Sequence, residues 1–314
     1  MSGSLHLVPP LVAAVVFAFG NLLQKRAFQE GAGLMPAFAL NHVALGLTFL
    51  PMLAWGEVPR PGTALWHPVL AGTAFFTGSV LGLLALRGGD VSVVTPLLGT
   101  KVILVAALST LVFRVPLGAG HLAAAGLTTL GVLVMGFSDR RPGRGTGRST
   151  VLALLCSLCF AVCDTLIQQW AGPFGIPTFI PMLFGTLAVL SMVVVLGTGR
   201  EAIRVPRAAL PWLLAASAAA VIQAVLITVS IAVWRDATGV NVVYALRGLW
   251  GLALVWCLGH RFGNTERADA GGRRMGWRLA GAGLILMAVL LALNSGGPPD
   301  SRPFPSLPEN PHGP

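Results

Sequence analysis

Long apolar stretches separated by short polar segments run along nearly the whole chain and end near residue 294. Most are about 17 to 25 residues long, which is the length of α-helix that crosses the hydrocarbon core of a bilayer. We therefore predict an all-α integral membrane protein. The predicted transmembrane helices are ten, at residues 7–24, 33–54, 66–86, 91–113, 120–138, 150–170, 176–197, 209–233, 238–259 and 276–294.

Composition supports a membrane protein and argues against a separate soluble domain. The 314 residues are 55% hydrophobic and 10% charged, whereas soluble domains carry about 25% charged residues. A formal net charge of +10 is compatible with nucleic-acid binding. The basic residues are dispersed through short loops, however, so we predict that the chain meets the lipid bilayer and does not bind nucleic acid.

The basic residues lie mainly on one side of the predicted membrane. The loops after predicted helices 1, 3, 5, 7 and 9, together with Arg278 at the start of the last helix, hold 15 of the 21 Lys and Arg residues. The opposite side holds only Arg60, Arg114, Arg235 and Arg302. Because loops rich in Lys and Arg remain in the cytoplasm, we predict a multi-pass protein of the plasma membrane with both termini extracytoplasmic.

Two short motifs recur in the second half of the chain. Residues 91–95 (VSVVT) align with residues 240–244 (VNVVY), and residues 17–21 (FAFGN) align with residues 160–164 (FAVCD). Five helices per half is an odd number, so the second half would enter the membrane from the opposite side, as in many secondary carriers.

This repeat divides the chain into four parts. Residues 1–138 form the first five-helix repeat and residues 150–294 the second, inverted repeat. Residues 139–149 are a basic cytoplasmic linker. Residues 295–314 include seven prolines, a composition that does not bury a core, and are predicted to be disordered.

The chain resembles the drug/metabolite transporter superfamily in its ten-helix EamA-type form. The likeness extends over residues 8–294 and is clearest in VVFAFGNLLQKRAF, in LRGGDVSVVTPLLGTKVILVAALSTLVF and in RVPLGAGHLAAAGLTTLGVLVM. Two positions differ from the family pattern. Residues 114–117 read RVPL where relatives commonly have a Gly-Glu-Arg-Leu-like turn, and the family's arginine near Asn41 is missing. Many relatives are also described with cytoplasmic termini, opposite to the charge distribution here.

Ionisable residues inside the predicted helices are the strongest functional candidates. Lys101, Asp164, Arg247 and His42 lie there, and a charge at a helix centre costs about 2.5–3.5 kcal/mol on insertion scales. Lys101 lies near the middle of the fourth predicted helix and Arg247 near the middle of the ninth, at nearly equivalent repeat positions. One acid cannot neutralise two bases, so pairing of Asp164 with either base leaves a positive charge that favours an anionic or zwitterionic substrate.

The resemblance supports the role of these two bases. Plastid phosphate translocators of the same superfamily are similar in holding the phosphate of their substrate with basic residues on corresponding central helices. Only Lys101 and Arg247 correspond to those residues.

Further candidates surround these bases. Pro96 predicts a kink before Lys101, Tyr244 lies three residues before Arg247, Asn21 aligns with Asp164, and Gln223 is a polar residue of the eighth predicted helix. With Lys101 and Arg247, these four are the predicted substrate-binding residues. Asp164 and His42 are the candidates for proton coupling.

Two helix-packing predictions follow from small residues. Cys156 and Cys159 form a C-x-x-C pair, which inside a membrane helix is more typical of compact packing than of metal binding. Gly78-x-x-x-Gly82 is expected to bring another helix close.

The sequence therefore favours a secondary transporter of a small anionic or amphipathic metabolite that works by alternating access. A divalent-cation carrier of the magnesium type is an alternative, although hard cations prefer several carboxylate ligands. A lipid-phosphate flippase is another, because it would use the same two bases. No catalytic cluster is recognisable, so we predict neither an enzyme nor a cofactor; monomer and homodimer remain open.

Overall fold

The computed structural model describes residues 6–56, 64–88, 97–137, 146–198, 204–258 and 272–294. Every regular element in these ranges is helical. The predicted basic linker and Pro-rich tail lie largely or wholly outside the described residues, as does Pro96. The helices are α1 (Val8–Gln29), α2 (Leu34–Phe49), α3 (Trp66–Gly88), α4 (Lys101–Ala107), α5 (Ala119–Phe137), α6 (Thr146–Phe174), α7 (Ile176–Thr198), α8 (Leu210–Trp234), α9 (Ala237–Tyr244), α10 (Arg247–Leu258) and α11 (Gly272–Asn294).

Eight helices in the described ranges are long and apolar enough to cross a membrane. They are α1, α2 with its 3₁₀ extension to Trp55, α3, α5, α6, α7, α8 and α11. Large apolar side chains cover their outer surface; Leu111 and Leu196, for example, are 80% and 76% exposed. Apolar exposure on this scale is typical of a lipid-facing surface and not of a soluble monomer. The chain is therefore an all-α multi-pass membrane protein, as predicted.

The helix predicted at 238–259 is not continuous, which corrects the sequence analysis. It consists of α9 and α10, separated by a tight turn at Ala245 and Leu246. Within this turn the Leu246 N–H donates to the Val243 carbonyl at 3.1 Å, and the Gly248 N–H donates to the Ala245 carbonyl at 3.1 Å. These i to i+3 bonds replace the i to i+4 pattern of the α-helix, so a break occurs without proline.

Lys101 is also placed differently from the prediction. It is the first residue of α4, directly after a turn at Gly99 and Thr100, and does not lie within a long helix. The Thr100 hydroxyl donates to the Leu97 carbonyl at 2.7 Å, and such side-chain bonds compete with helical backbone bonds. After α4, residues 108–112 continue as a π-helical turn. Both predicted central helices therefore contain a break close to their basic residue.

The long helices form four main pairs, each joining the first half of the chain to the second. Helix α1 packs on α8, α2 on α7, α3 on α6 and α5 on α11. Exchanging α1 with α6, α3 with α8, α2 with α7 and α5 with α11 reproduces the same set of pairs. The α1–α8 and α3–α6 pairs replace each other, and the other two pairs map onto themselves. The short helix α9 lies among these pairs, contacts α1, α4, α5, α6, α8 and α11, and has all its residues buried.

Small residues allow α3 and α6 to approach closely. A Cβ atom on Gly78 would lie 3.2 Å from the Cys159 Cβ, and one on Gly82 would lie 3.2 Å from the Cys156 sulfur. Both cysteines are free thiols. The predicted close packing at Gly78-x-x-x-Gly82 is confirmed, and the C-x-x-C pair provides the compact surface opposite it.

The contact between α5 and α11 provides a test of the packing. Replacing Gly131 with alanine is expected to destabilise the protein by about 1–3 kcal/mol through overpacking. The new methyl group would lie 2.7 Å from the Gly281 carbonyl oxygen and 2.8 Å from Ile285 Cγ1. Gly126→Ala on the same helix is the control, because nothing lies within 4 Å of its Cβ position. Thermal unfolding in detergent should separate the two variants, and equal melting temperatures would contradict this close approach.

Candidate functional site

A buried ion pair joins α4 to α6 at the centre of the protein. The Lys101 ammonium lies 2.6 Å from Asp164 Oδ2, and Asp164 is only 7% exposed. Asp164 Oδ2 also accepts a hydrogen bond of 2.7 Å from the Asn241 side-chain amide. The same amide nitrogen donates to the Ala237 carbonyl at 2.8 Å, which fixes its orientation on α9. A buried charge pair requires this kind of additional hydrogen bonding to offset its loss of water.

Arg247 has a different environment, formed by aromatic rings. Its guanidinium carbon lies 4.4 Å from the centre of the Tyr244 ring and 5.2 Å from that of Phe17. Both distances are within the range of cation–π attraction. The two rings meet edge to face at 5.8 Å. Within the described residues, no carboxylate lies within ion-pair distance of Arg247.

Tyr244 is held in place by α8. Its hydroxyl donates to the Gln223 side-chain oxygen at 2.6 Å, and the residue is 6% exposed. A buried tyrosine normally finds such a partner for its hydroxyl. This bond fixes the ring against which Arg247 packs, so Gln223 supports Arg247 indirectly.

The ion pair and the arginine group are linked through helix α9. Asn241 and Tyr244 lie three residues apart, and residues at this spacing share one face of a helix. Asn241 therefore contacts Asp164, and Tyr244, the next residue along this face, contacts Arg247. Side chains from α1, α4, α6, α8, α9 and α10 thus come together in one cluster, which we call the central site: Phe17, Lys101, Asp164, Gln223, Asn241, Tyr244 and Arg247.

The described charges of the central site do not balance. Lys101 and Asp164 neutralise each other, which is one of the two pairings that the sequence left open, and Arg247 adds one positive charge. The site contains polar groups that can recognise an anion. It also contains aromatic rings that can pack against the apolar part of such a ligand. Chemically, the arrangement is suited to binding an organic anion.

The remaining predicted residues lie elsewhere or outside the described part. Asn21 is exposed on α1. His42 is buried between α2 and α7, where its Nδ1 lies 2.6 Å from the Ser191 hydroxyl and its ring contacts Phe38 at 4.2 Å. A proton relay through His42 stays a prediction. Among the described residues, no group of three His, Cys, Asp or Glu side chains could hold a metal ion.

Two residues of the central site, Asn241 and Phe17, were not among the predicted site residues. Both lie in the repeated motifs, Asn241 within VNVVY and Phe17 at the start of FAFGN. Asn241 is a polar residue within an apolar run, one helical turn before Tyr244, and that spacing was the available signal. Phe17 gave none, because a phenylalanine in a membrane helix most often faces lipid or another helix.

Comparison with known proteins gives a family match over the first part of the chain and a fold for nearly all of it. Residues 6–137 match the EamA-like transporter family. No curated protein matches the chain significantly. Among solved structures 29 chains match, including a crystal structure of a protein that aligns with a TM-score of 0.71 at 17% identity, over 92% of this chain and 96% of the other. At this identity the likeness shows a shared fold over nearly the whole of both chains.

Proposed function

We propose that this chain, whose residues 6–137 match the EamA-like transporter family and whose sequence resembles the drug/metabolite transporter superfamily, is a secondary carrier of a small anionic or amphipathic metabolite. Substrate would bind in the central site, and transport would proceed by alternating access. Arg247 would supply the net positive charge, Lys101 in its pair with Asp164 would add further N–H donors, and Tyr244 with Gln223 would orient the arginine. We place the protein in the plasma membrane with both termini extracytoplasmic, following its loop charges.

The observation that carries this proposal is the environment of the Arg247 guanidinium, which packs against aromatic rings and has no described carboxylate partner. A guanidinium inside a membrane protein needs an anionic or hydrogen-bonding partner to offset the loss of its hydration. Two aromatic rings provide part of this compensation. Of these two side chains only Tyr244 carries an oxygen acceptor, and a guanidinium has five N–H donors. A substrate carboxylate or phosphate supplies two further acceptors in bidentate geometry.

The arrangement of helices supports alternating access. The four main helix pairs each join one half of the chain to the other, and their pattern is the one expected for two repeats related by a two-fold axis. Broken helices near a central binding site are common in such carriers. The turns before Lys101 and before Arg247 support this proposal, because each break lies directly beside a basic residue of the central site.

Asp164 is the candidate for proton coupling. Its carboxylate contacts both Lys101 and Asn241, so its protonation would release Lys101 and alter the charge presented to substrate. We propose that uptake driven by a proton gradient depends on this residue. In proteoliposomes, an Asp164→Asn variant should lose gradient-driven uptake and retain exchange of labelled for unlabelled substrate.

The transport proposal is tested with purified protein in proteoliposomes. We expect protein-dependent uptake of organic anions, measured against protein-free liposomes, and competition among anions but not by organic cations. Magnesium uptake is measured in parallel with an entrapped fluorescent indicator. Protein-dependent magnesium flux without any anion flux would contradict the proposal and favour a divalent-cation carrier.

A further inference from the structure

On the premise of the proposed anion transport, we propose that the central site selects organic monoanions with a planar carboxylate head and an aromatic or other apolar body, and discriminates against dianionic phosphate esters. The sequence alone presents two bases, which would suit a phosphate. The structure leaves only one base without an acidic partner among the described residues, because Lys101 forms an ion pair with Asp164 at 2.6 Å.

The net charge of the described central site is one positive unit. Lys101 and Asp164 cancel, and Arg247 remains. A carboxylate with a single negative charge brings the occupied site to neutrality. A phosphate monoester carries about −1.5 to −2 charges at pH 7, so it would leave excess negative charge in a low-dielectric region that also contains Asp164, where like charges repel strongly.

The shape of the head group follows from how Arg247 is held. The N–H donors of a guanidinium lie in its plane and form a fork that matches the two oxygens of a carboxylate. Tyr244 and Phe17 lie close to its central carbon. Of these two side chains only Tyr244 carries an oxygen, whereas a planar carboxylate offers two and can accept from both prongs of the fork at once.

The aromatic surface indicates the body of the ligand. Phe17 and Tyr244 meet edge to face beside the guanidinium, and the Lys101 ammonium lies 5.9 Å from the Phe160 ring. A ligand whose carboxylate reaches Arg247 therefore has aromatic side chains beside its body. Aromatic pairs add about 0.5–1.5 kcal/mol beyond simple burial, so an aromatic acid should bind better than a short polar one.

Four ligands that share a benzene ring test the proposal on the full-length protein. Benzoate is a planar monoanion, benzenesulfonate a tetrahedral monoanion, phenyl phosphate a dianion at pH 7.5, and benzamide a neutral planar analogue. Ligand-induced thermal stabilisation of the purified protein, titrated at constant ionic strength, gives an apparent affinity for each. Benzoate is expected to bind at least about tenfold more tightly than phenyl phosphate, with benzenesulfonate between them and no effect of benzamide.

A variant with altered charge tests whether the net charge of the central site causes this order of ligand affinities. Asp164→Asn removes the charge that neutralises Lys101, so the site gains a second free positive charge and phenyl phosphate should improve by about tenfold or more relative to benzoate. Asp236→Asn is the matched control. Asp236 is another buried carboxylate, and its Oδ2 lies 3.3 Å from His6 Nε2, so its neutralisation should leave the order unchanged.

Each outcome bears on a separate claim. Equal or tighter binding of phenyl phosphate to the wild type would overturn the monoanion rule and leave anion transport standing. Benzenesulfonate equal to benzoate would overturn the planar-head requirement. Stabilisation by magnesium with no response to any of the four ligands would contradict the proposed function itself. If Asp164→Asn does not fold, the wild-type series alone decides.

Discussion

Replacing Arg247 with alanine is expected to weaken binding of anionic substrates by about 10- to 100-fold and to reduce their transport accordingly, while the protein stays folded. Hydrogen bonds to charged groups contribute about 1.5–3 kcal/mol each, and each 1.4 kcal/mol changes affinity about tenfold. Folding should suffer little, because the described contacts of the guanidinium are with the rings of Tyr244 and Phe17. Its removal leaves no described carboxylate without a partner.

The measurement pairs uptake in proteoliposomes with thermal stability without ligand. Arg247→Lys is the control, since lysine keeps the charge but lacks the planar fork of donors; intermediate binding is expected. A variant Arg247→Ala that binds anions like the wild type but melts several degrees lower would show that the arginine serves the fold and not the substrate.

Breaking the ion pair from one side should produce the largest loss of stability. Lys101→Met leaves Asp164 buried with only the Asn241 amide as a partner, and an uncompensated buried charge costs about 3–5 kcal/mol. The double variant Lys101→Met with Asp164→Leu removes both charges together. It should recover most of the lost stability, because replacing both members of a buried pair with apolar residues is often neutral or stabilising.

Thermal unfolding of the wild type, both single variants and the double variant completes this cycle. A strong positive coupling energy between Lys101 and Asp164 is expected. Additive effects of the two single substitutions would contradict a direct contact at 2.6 Å. The double variant keeps Arg247, so it should retain anion binding and lose the response to a proton gradient.

The breaks in the central helices illustrate what hydrophobic patterning does not report. The apolar run at 238–259 continues through Ala245 and Leu246, both apolar residues that normally extend a helix. Whether they do so depends on competing tertiary contacts, such as the bond from Tyr244 to Gln223 on α8. The turn before Lys101 has a local cause in the low helix propensities of Gly99 and Thr100. The energetic penalty of such residues is small, however, and tertiary contacts overcome it in other helices.

Most residues of the candidate site could be selected from sequence, because charged and polar groups are costly inside a membrane. Which of them contact one another could not be predicted. Lys101, Asp164, Arg247, Tyr244 and Gln223 were all selected from sequence, and the structure brings them into one cluster. His42 and Asn21 met similar criteria, but the structure places the first between α2 and α7 and the second on an exposed face. Polar character inside a helix indicates that a partner is needed, without indicating which helix provides it.

The amino-acid sequence by itself determined that this chain is a helical membrane protein, because the length and apolarity of its segments leave the bilayer as their only suitable solvent. It also determined that positive charge exceeds negative charge inside that bilayer. Only the tertiary structure decided that Asp164 pairs with Lys101 and that Arg247 lies against Tyr244 and Phe17. Such pairings depend on how helices distant in sequence pack, and distances of a few ångströms between them are not encoded in the periodicity of any one helix.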